Sequence, residues 1–253
     1  MPLLKFDPEK VAVLNPSDYV EKPDKMPETL VSFFEQSLMN YFLKNFKGEI
    51  IGYVGNTRHR DPIYRINFGG KDLAIVQANV GAPYCTICFE EICAMGAKNI
   101  LLFGSCGALT HVPSNSLIIP MRAYRDEGTS YHYKEPSEYI ELNKKYVNRI
   151  KKFFDTKGVP YEVGSTWTTD GFYRETSNKV EEMLSKGCIS VEMECASIAA
   201  MAEFRGYNFA QFLYTSDSLA DSTYQIGNIT NLDVTGQEIA LHLALELATK
   251  LFD

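Results

Sequence analysis

A chain of 253 residues, 45% hydrophobic and 23% charged, is long enough to bury a sizeable core as one large α/β domain or two small ones. Its formal charge of −7 argues against a general nucleic-acid or anionic-membrane binder, but not against a small anionic ligand held by local donors. Met1 to Lys10 is mixed and broken by Pro2 and Pro8, unlike a secretory signal. No apolar run approaches a bilayer span, and the six cysteines suit the buried thiols of a cytoplasmic protein.

In chain order, Val11 to Leu14 reads as a first strand, turned by Asn15-Pro16-Ser17-Asp18. Leu30 to Phe46 carries apolar residues at helical spacing. Ile50 to Val54, Ile63 to Phe68 and Leu73 to Ala78 are expected strands, the last two joined by a Gly69-Gly70 hairpin turn. Gly81-Ala82-Pro83 opens a helix that runs to Met95 and stops at Gly96. Its Cys85-Thr86-Ile87-Cys88 spacing has no second cysteine pair to complete a zinc knuckle, and His111 and His132 lack ligand spacing, so packing is preferred and no metal is expected.

Asn99 to Phe103 is apolar enough to be buried on both faces of a sheet, and it leads into a glycine-rich turn, Gly104-Ser105-Cys106-Gly107-Ala108. Ser116 to Pro120 reads as a strand, Arg125 to Tyr133 as a polar aromatic loop and Glu138 to Thr156 as a charged surface helix. Tyr161 to Trp167 reads as a strand ending in the loop Thr168 to Arg174. Ile189 to Val191 alternates like a strand and passes into a small-residue helix ending before Gly206, with Glu192 and Glu194 at the junction. One carboxylate there is most simply a helix cap, whereas two flanking Met193 before so apolar a helix point to a polar site. Asn208 to Tyr214 is a buried strand ending at Ser216-Asp217, and a helix from Val234 to Leu251 closes the chain. No internal repeat or dividing linker is visible, so a single α/β domain over residues 1–253, with a mixed central sheet flanked by helices, is expected.

Four polar segments follow apolar strands: Gly104 to Ala108, Thr169 to Arg174, Glu192 to Glu194, and Ser216-Asp217. Loops after separate strands of an α/β sheet converge on one pocket. The combination of Gly104-Ser105-Cys106-Gly107-Ala108, Val191-Glu192-Met193-Glu194 and Ser216-Asp217 resembles the trimer-and-hexamer class of nucleoside phosphorylases, over most of the chain and in the right order. That class includes bacterial-type purine nucleoside phosphorylases, uridine phosphorylases and methylthioadenosine/S-adenosylhomocysteine nucleosidases.

The resemblance implies cleavage of an N-glycosidic bond through a ribosyl cation-like transition state, with free base and ribose 1-phosphate as products. Glu194 would accept the ribose hydroxyls and stabilise developing positive charge. Met193 would pack on the sugar, Glu192 would sit beside ribose and base, and Ser105 would donate to ribose or phosphate. Phe172 would stack on the base, core packing being its other reading. Asp217, alternatively a helix cap, would act with Ser216 on the leaving base as general acid. Arg174 in the base loop keeps uridine open beside purines. Inorganic phosphate would be the co-substrate, with no other cofactor, near Gly104, Ser105 and Arg125. A homo-oligomer is implied, a dimer at least and more specifically a hexamer.

The family's phosphate arginines are absent: Tyr19 and Leu102 stand at two of their places, and Lys47 lies near the third. Three explanations compete. Arg58, His59, Arg60, Arg122 or Arg125 takes over phosphate binding; water replaces phosphate; or a nucleoside is bound without turnover.

Overall fold

The computed structural model describes residues 2–113, 116–220 and 234–253. A short helix α1 (Pro16–Tyr19) begins where the Asp18 carboxylate accepts the Asn15 backbone N–H at 2.9 Å. The expected first strand is not formed: Val11, Val13 and Leu14 are exposed, and the first strand is β1 (Thr29–Phe33), followed by α2 (Gln36–Asn45). The apolar positions from Leu30 fit a helical period. But Leu30 to Phe33 are buried without a break, and β4 and β5 sequester the backbone from both sides, so tertiary pairing overrides the periodicity.

The chain continues through β2 (Glu49–Gly55), β3 (Arg60–Phe68) and β4 (Lys71–Gln77). The β3–β4 hairpin turns on Gly69 and Gly70, both at positive φ (58° and 82°), as its two-residue loop requires. Then come α3 (Ala82–Met95), β5 (Asn99–Ala108), β6 (Leu117–Asp126), β7 (Tyr139–Glu141), α4 (Lys144–Lys157), β8 (Tyr161–Thr169), α5 (Ser177–Ser185), β9 (Cys188–Glu192), α6 (Cys195–Arg205), β10 (Asn208–Ser218) and α7 (Val234–Ala248). The stretch expected to be one helix from Glu138 thus begins with a short strand, and α5 has no counterpart in the sequence reading.

The sheet is mixed, as expected. Its order is β10-β6-β8-β9-β5-β1-β4-β3-β2, and β10 also pairs with β5, closing five strands into a ring. Helices α2, α4 and α7 cover one face over Phe33, Phe103, Phe154 and Phe212. Helices α3 and α6 cover the other over Ile100, Leu102, Ile198 and Met201. The segment read as a glycine-rich turn is the second half of β5: Gly104 to Ala108 pair with Leu213 to Ser218 of β10. The glycines here permit close packing rather than a reversal. Strands β5 and β9 run antiparallel and meet only at Gly107↔Val191 and Ala108↔Ser190, so their carboxyl ends coincide. That coincidence brings the polar segments together. Among the described residues no helix is long and apolar enough to cross a membrane.

Candidate active site

At the β9–α6 junction the two glutamates divide their work. Glu192 Oε2 accepts the backbone N–H groups of Glu194 and Cys195 at 2.7 and 2.6 Å, and Oε1 accepts the Thr168 hydroxyl at 2.5 Å. Thr168 Oγ1 in turn accepts the Ala196 N–H at 3.1 Å. Three unsatisfied amides at the start of α6 are thereby capped by buried side chains. The simple reading, a helix cap, holds for Glu192. Its carboxylate is consumed within the protein, and the expectation that it sits beside ribose and base as a ligand is corrected to a positioning role.

Glu194 points the other way. Its Oε1 accepts the N–H of Gly81 at 2.5 Å, joining the start of α6 to the start of α3. Gly81 adopts φ 98°, a conformation suited to glycine, and so aims its amide at the carboxylate. A carboxylate offers about four acceptor positions, so capacity remains for two ligand hydroxyls. Burial pushes Glu194 up to about 8, with the charge of Glu192 adding to the effect, and burial pushes Glu192 up to about 7. Met193, between them, is half-buried.

Asp217 lies across Gly107 from this junction. The β5–β10 register shifts between Thr215 and Asp217, a bulge at Ser216 that places Asp217 opposite Gly107. The Ser216 hydroxyl lies 2.7 Å from Asp217 Oδ1 and donates to it. Gly107 is flanked by Val191 on one side and Asp217 on the other, so those two backbones stand about 10 Å apart, two strand spacings. An added Cβ at Gly107 would lie 2.8 Å from both Leu219 and Val191 and 3.5 Å from Asp217 Oδ2. Burial raises the Asp217 carboxyl above its ordinary value, which favours a protonated group able to donate. Glu175, absent from the sequence reading, is pushed up to about 7 by burial and by Asp217. Its place in a loop after an apolar strand was the available signal.

Phe172 and Arg174 sit on a 3-10 turn (Phe172–Arg174) after β8. Phe172 is 43% exposed and its ring meets Tyr173 edge-on at 5.1 Å, so it is not a core residue and has a face to offer. Arg174 is exposed on the same turn. Ser105 is half-buried on β5, paired with Tyr214 of β10.

The phosphate set expected from the sequence is not assembled. Arg125 is buried, its Nε donates to Ser130 at 2.9 Å, and its terminal nitrogens donate to Glu135 O, Ser137 Oγ and Lys134 O at 2.6, 2.9 and 3.1 Å. Four of its five N–H donors therefore brace its own loop, with the Tyr131 ring 3.9 Å from the guanidinium. Gly104 is covered: a Cβ there would fall 2.5 Å from the Phe34 ring, so Phe34 lies where an anion would approach.

Residues 42–249 match the family model of the phosphorylase superfamily, and the chain belongs to that family. It is 26% identical over 145 residues to guanosine phosphorylase of Halorubrum lacusprofundi, covering 57% of this chain and 60% of that protein. It is 30% identical over 161 residues to a purine nucleoside phosphorylase DeoD-type 1 of Shewanella oneidensis, covering 62% of this chain and 63% of that one. The matched region thus spans less than two thirds of these relatives. The fold is that of uridine phosphorylase from Vibrio fischeri, with a TM-score of 0.77 at 22% identity over 90% of this chain and 95% of that one. Purine nucleoside phosphorylase from Toxoplasma gondii in complex with immucillin-H superposes with a TM-score of 0.73 at 17% identity, covering 89% and 93%.

Proposed function

We propose that the chain transfers the sugar of a nucleoside from its base to inorganic phosphate, purine nucleosides ahead of uridine. The observation that carries this reading is the pairing of a hydroxyl acceptor, Glu194, with a proton donor, Asp217, on either side of Gly107. The ribose 2′ and 3′ hydroxyls donate to Glu194, which fixes the sugar and grows more effective as positive charge develops at C1′. Phe172 supplies an aromatic face for the base. Asp217, held by Ser216, gives its proton to the departing base nitrogen, and the pair of electrons from the C1′–N bond leaves with the base. The names of the relatives, guanosine phosphorylase and purine nucleoside phosphorylase, support phosphate as acceptor and purines as preferred donors. The same reading includes no metal or organic cofactor, a cytoplasmic setting, and a homo-oligomer, a dimer at least and a hexamer when fully assembled.

The test is base release from inosine, guanosine, adenosine and uridine in the presence of phosphate, with wild type and Asp217→Asn. The wild type is expected to release purine bases, and the variant to do so about 10²-fold more slowly with a similar KM. No release from any nucleoside would overturn the reading. Unchanged purine turnover in the variant would overturn Asp217 as the acid and favour uridine.

A further inference from the structure

At the acceptor end, next to Ser105, stands a polar cluster that the sugar and base sites do not use. Glu35 follows β1, whose carboxyl end lies between those of β4 and β5. Neither oxygen of its buried carboxylate has a hydrogen-bond partner among the described residues. The Tyr214 hydroxyl, on the residue paired with Ser105, is aimed at Glu35 and is itself buried without a partner of good geometry. Gln237 on α7 completes the group: Ser37 donates to its Oε1 at 3.1 Å, while its buried Nε2 has no acceptor. Two carboxylate oxygens, a phenol and an amide N–H left open around one point are the partners an ordered water needs, since buried waters make about three hydrogen bonds. The same point is hostile to phosphate. A carboxylate repels a dianion, and the Phe34 ring occupies the approach over Gly104.

We infer that water is a second acceptor at this site, activated by Glu35, so that the chain also hydrolyses the glycosidic bond to free ribose and free base. The inference rests on the proposed cleavage of a nucleoside and adds an acceptor to it. As the C1′–N bond breaks, the water oxygen forms the new bond to C1′. One water proton passes to Glu35, while the base nitrogen takes the proton of Asp217. Proton return from Glu35 to solvent, and from solvent to Asp217, closes a cycle in which nucleoside and water give ribose and base. Tyr214 and Gln237 orient the water, and no other reactant is needed.

The experiment uses the full chain with inosine or whichever nucleoside it cleaves best, in buffer freed of phosphate and in a phosphate titration. Free ribose is separated from ribose 1-phosphate, and the reaction is run in ¹⁸O-labelled water. The expected result is sustained base release without phosphate, label in the ribose, and a loss of about 10²-fold in phosphate-free kcat for Glu35→Gln with little change in KM. Base release that strictly requires phosphate, in wild type alone, overturns the inference and leaves the proposed function standing. Phosphate-free release that survives Glu35→Gln at full rate overturns Glu35 as the base. No release under either condition overturns both readings. The wild-type phosphate titration decides the matter even if the variant fails to fold.

Discussion

Two glutamates separated by one residue carry opposite obligations, and substitution should separate them. Glu192 satisfies amides at the start of α6, so Glu192→Ala leaves buried N–H groups of Glu194 and Cys195 without an acceptor. Loss of such a cap costs about 1–2 kcal/mol, a fall of several degrees in Tm for a chain of this size. Glu194 accepts only the Gly81 N–H at Oε1, and its ionised form is disfavoured by burial. Glu194→Gln keeps an acceptor for Gly81 while removing the buried charge, so the unliganded protein is expected to melt no lower than wild type near pH 8. Activity should move the other way: Glu194→Gln removes the charge facing the sugar and lowers kcat by about 10²-fold or more. Calorimetry beside steady-state kinetics checks both halves, and a common loss of stability in the two variants would refute the division of roles.

At the scale of elements, the site exists because β5, β9 and β10 meet at Gly107. A methyl group there meets Val191 and Leu219 at 2.8 Å and lies near Asp217, and both hydrophobic neighbours belong to packed strand ends. Gly107→Ala is expected to cost about 1–3 kcal/mol through overpacking and to lower purine turnover by displacing Asp217. Gly52→Ala, whose methyl meets Ile63 at 3.8 Å, serves as the control with little change in melting temperature or rate. Equal behaviour of the two variants in thermal melts would show that the strand junction is looser than described. This junction was only half legible in the sequence. The Gly69-Gly70 hairpin, α3 between Gly81 and Gly96, and the passage from β9 to α6 follow from local turn, cap and period chemistry, which a sequence displays directly. Glycines at 104 and 107 look the same whether they turn a chain or admit a neighbour, and only the pairing of β5 with β10 distinguishes the two. Leu30 to Phe33 likewise fits two periods until β4 and β5 close on it. Arg125 is legible as a cation, but its commitment to Ser130, Lys134, Glu135 and Ser137 is a loop conformation that no spacing rule encodes.

For the whole molecule, the site leaves a signature in the pH dependence of stability. Burial holds Glu192 and Glu175 up to about 7 and Glu194 up to about 8, well above the ordinary 4.5 of a free glutamate. Between roughly pH 5 and 8 the folded chain therefore binds more protons than the unfolded chain, and stability falls as pH rises through that window. Carboxyls whose values are lowered, such as Asp18, Glu141 and Glu246, work in the opposite sense only at lower pH, as they take up protons, and do not offset the trend. A difference of one proton is worth about 1.4 kcal/mol per pH unit, or about 4 °C in Tm for a chain of this length. The unliganded protein is expected to melt several degrees lower at pH 8 than at pH 6. The slope should flatten in Glu194→Gln, which removes the group held highest. A bound nucleoside should flatten it too, because sugar hydroxyls donating to Glu194 stabilise the ionised carboxylate and bring its pKa back toward neutrality. Differential scanning calorimetry at fixed ionic strength, with and without nucleoside, measures all three slopes. A melting temperature that rises from pH 6 to pH 8 in the unliganded wild type would mean that these carboxylates meet solvent, and with it would go the dry, charge-sensitive site on which glycosidic-bond cleavage depends.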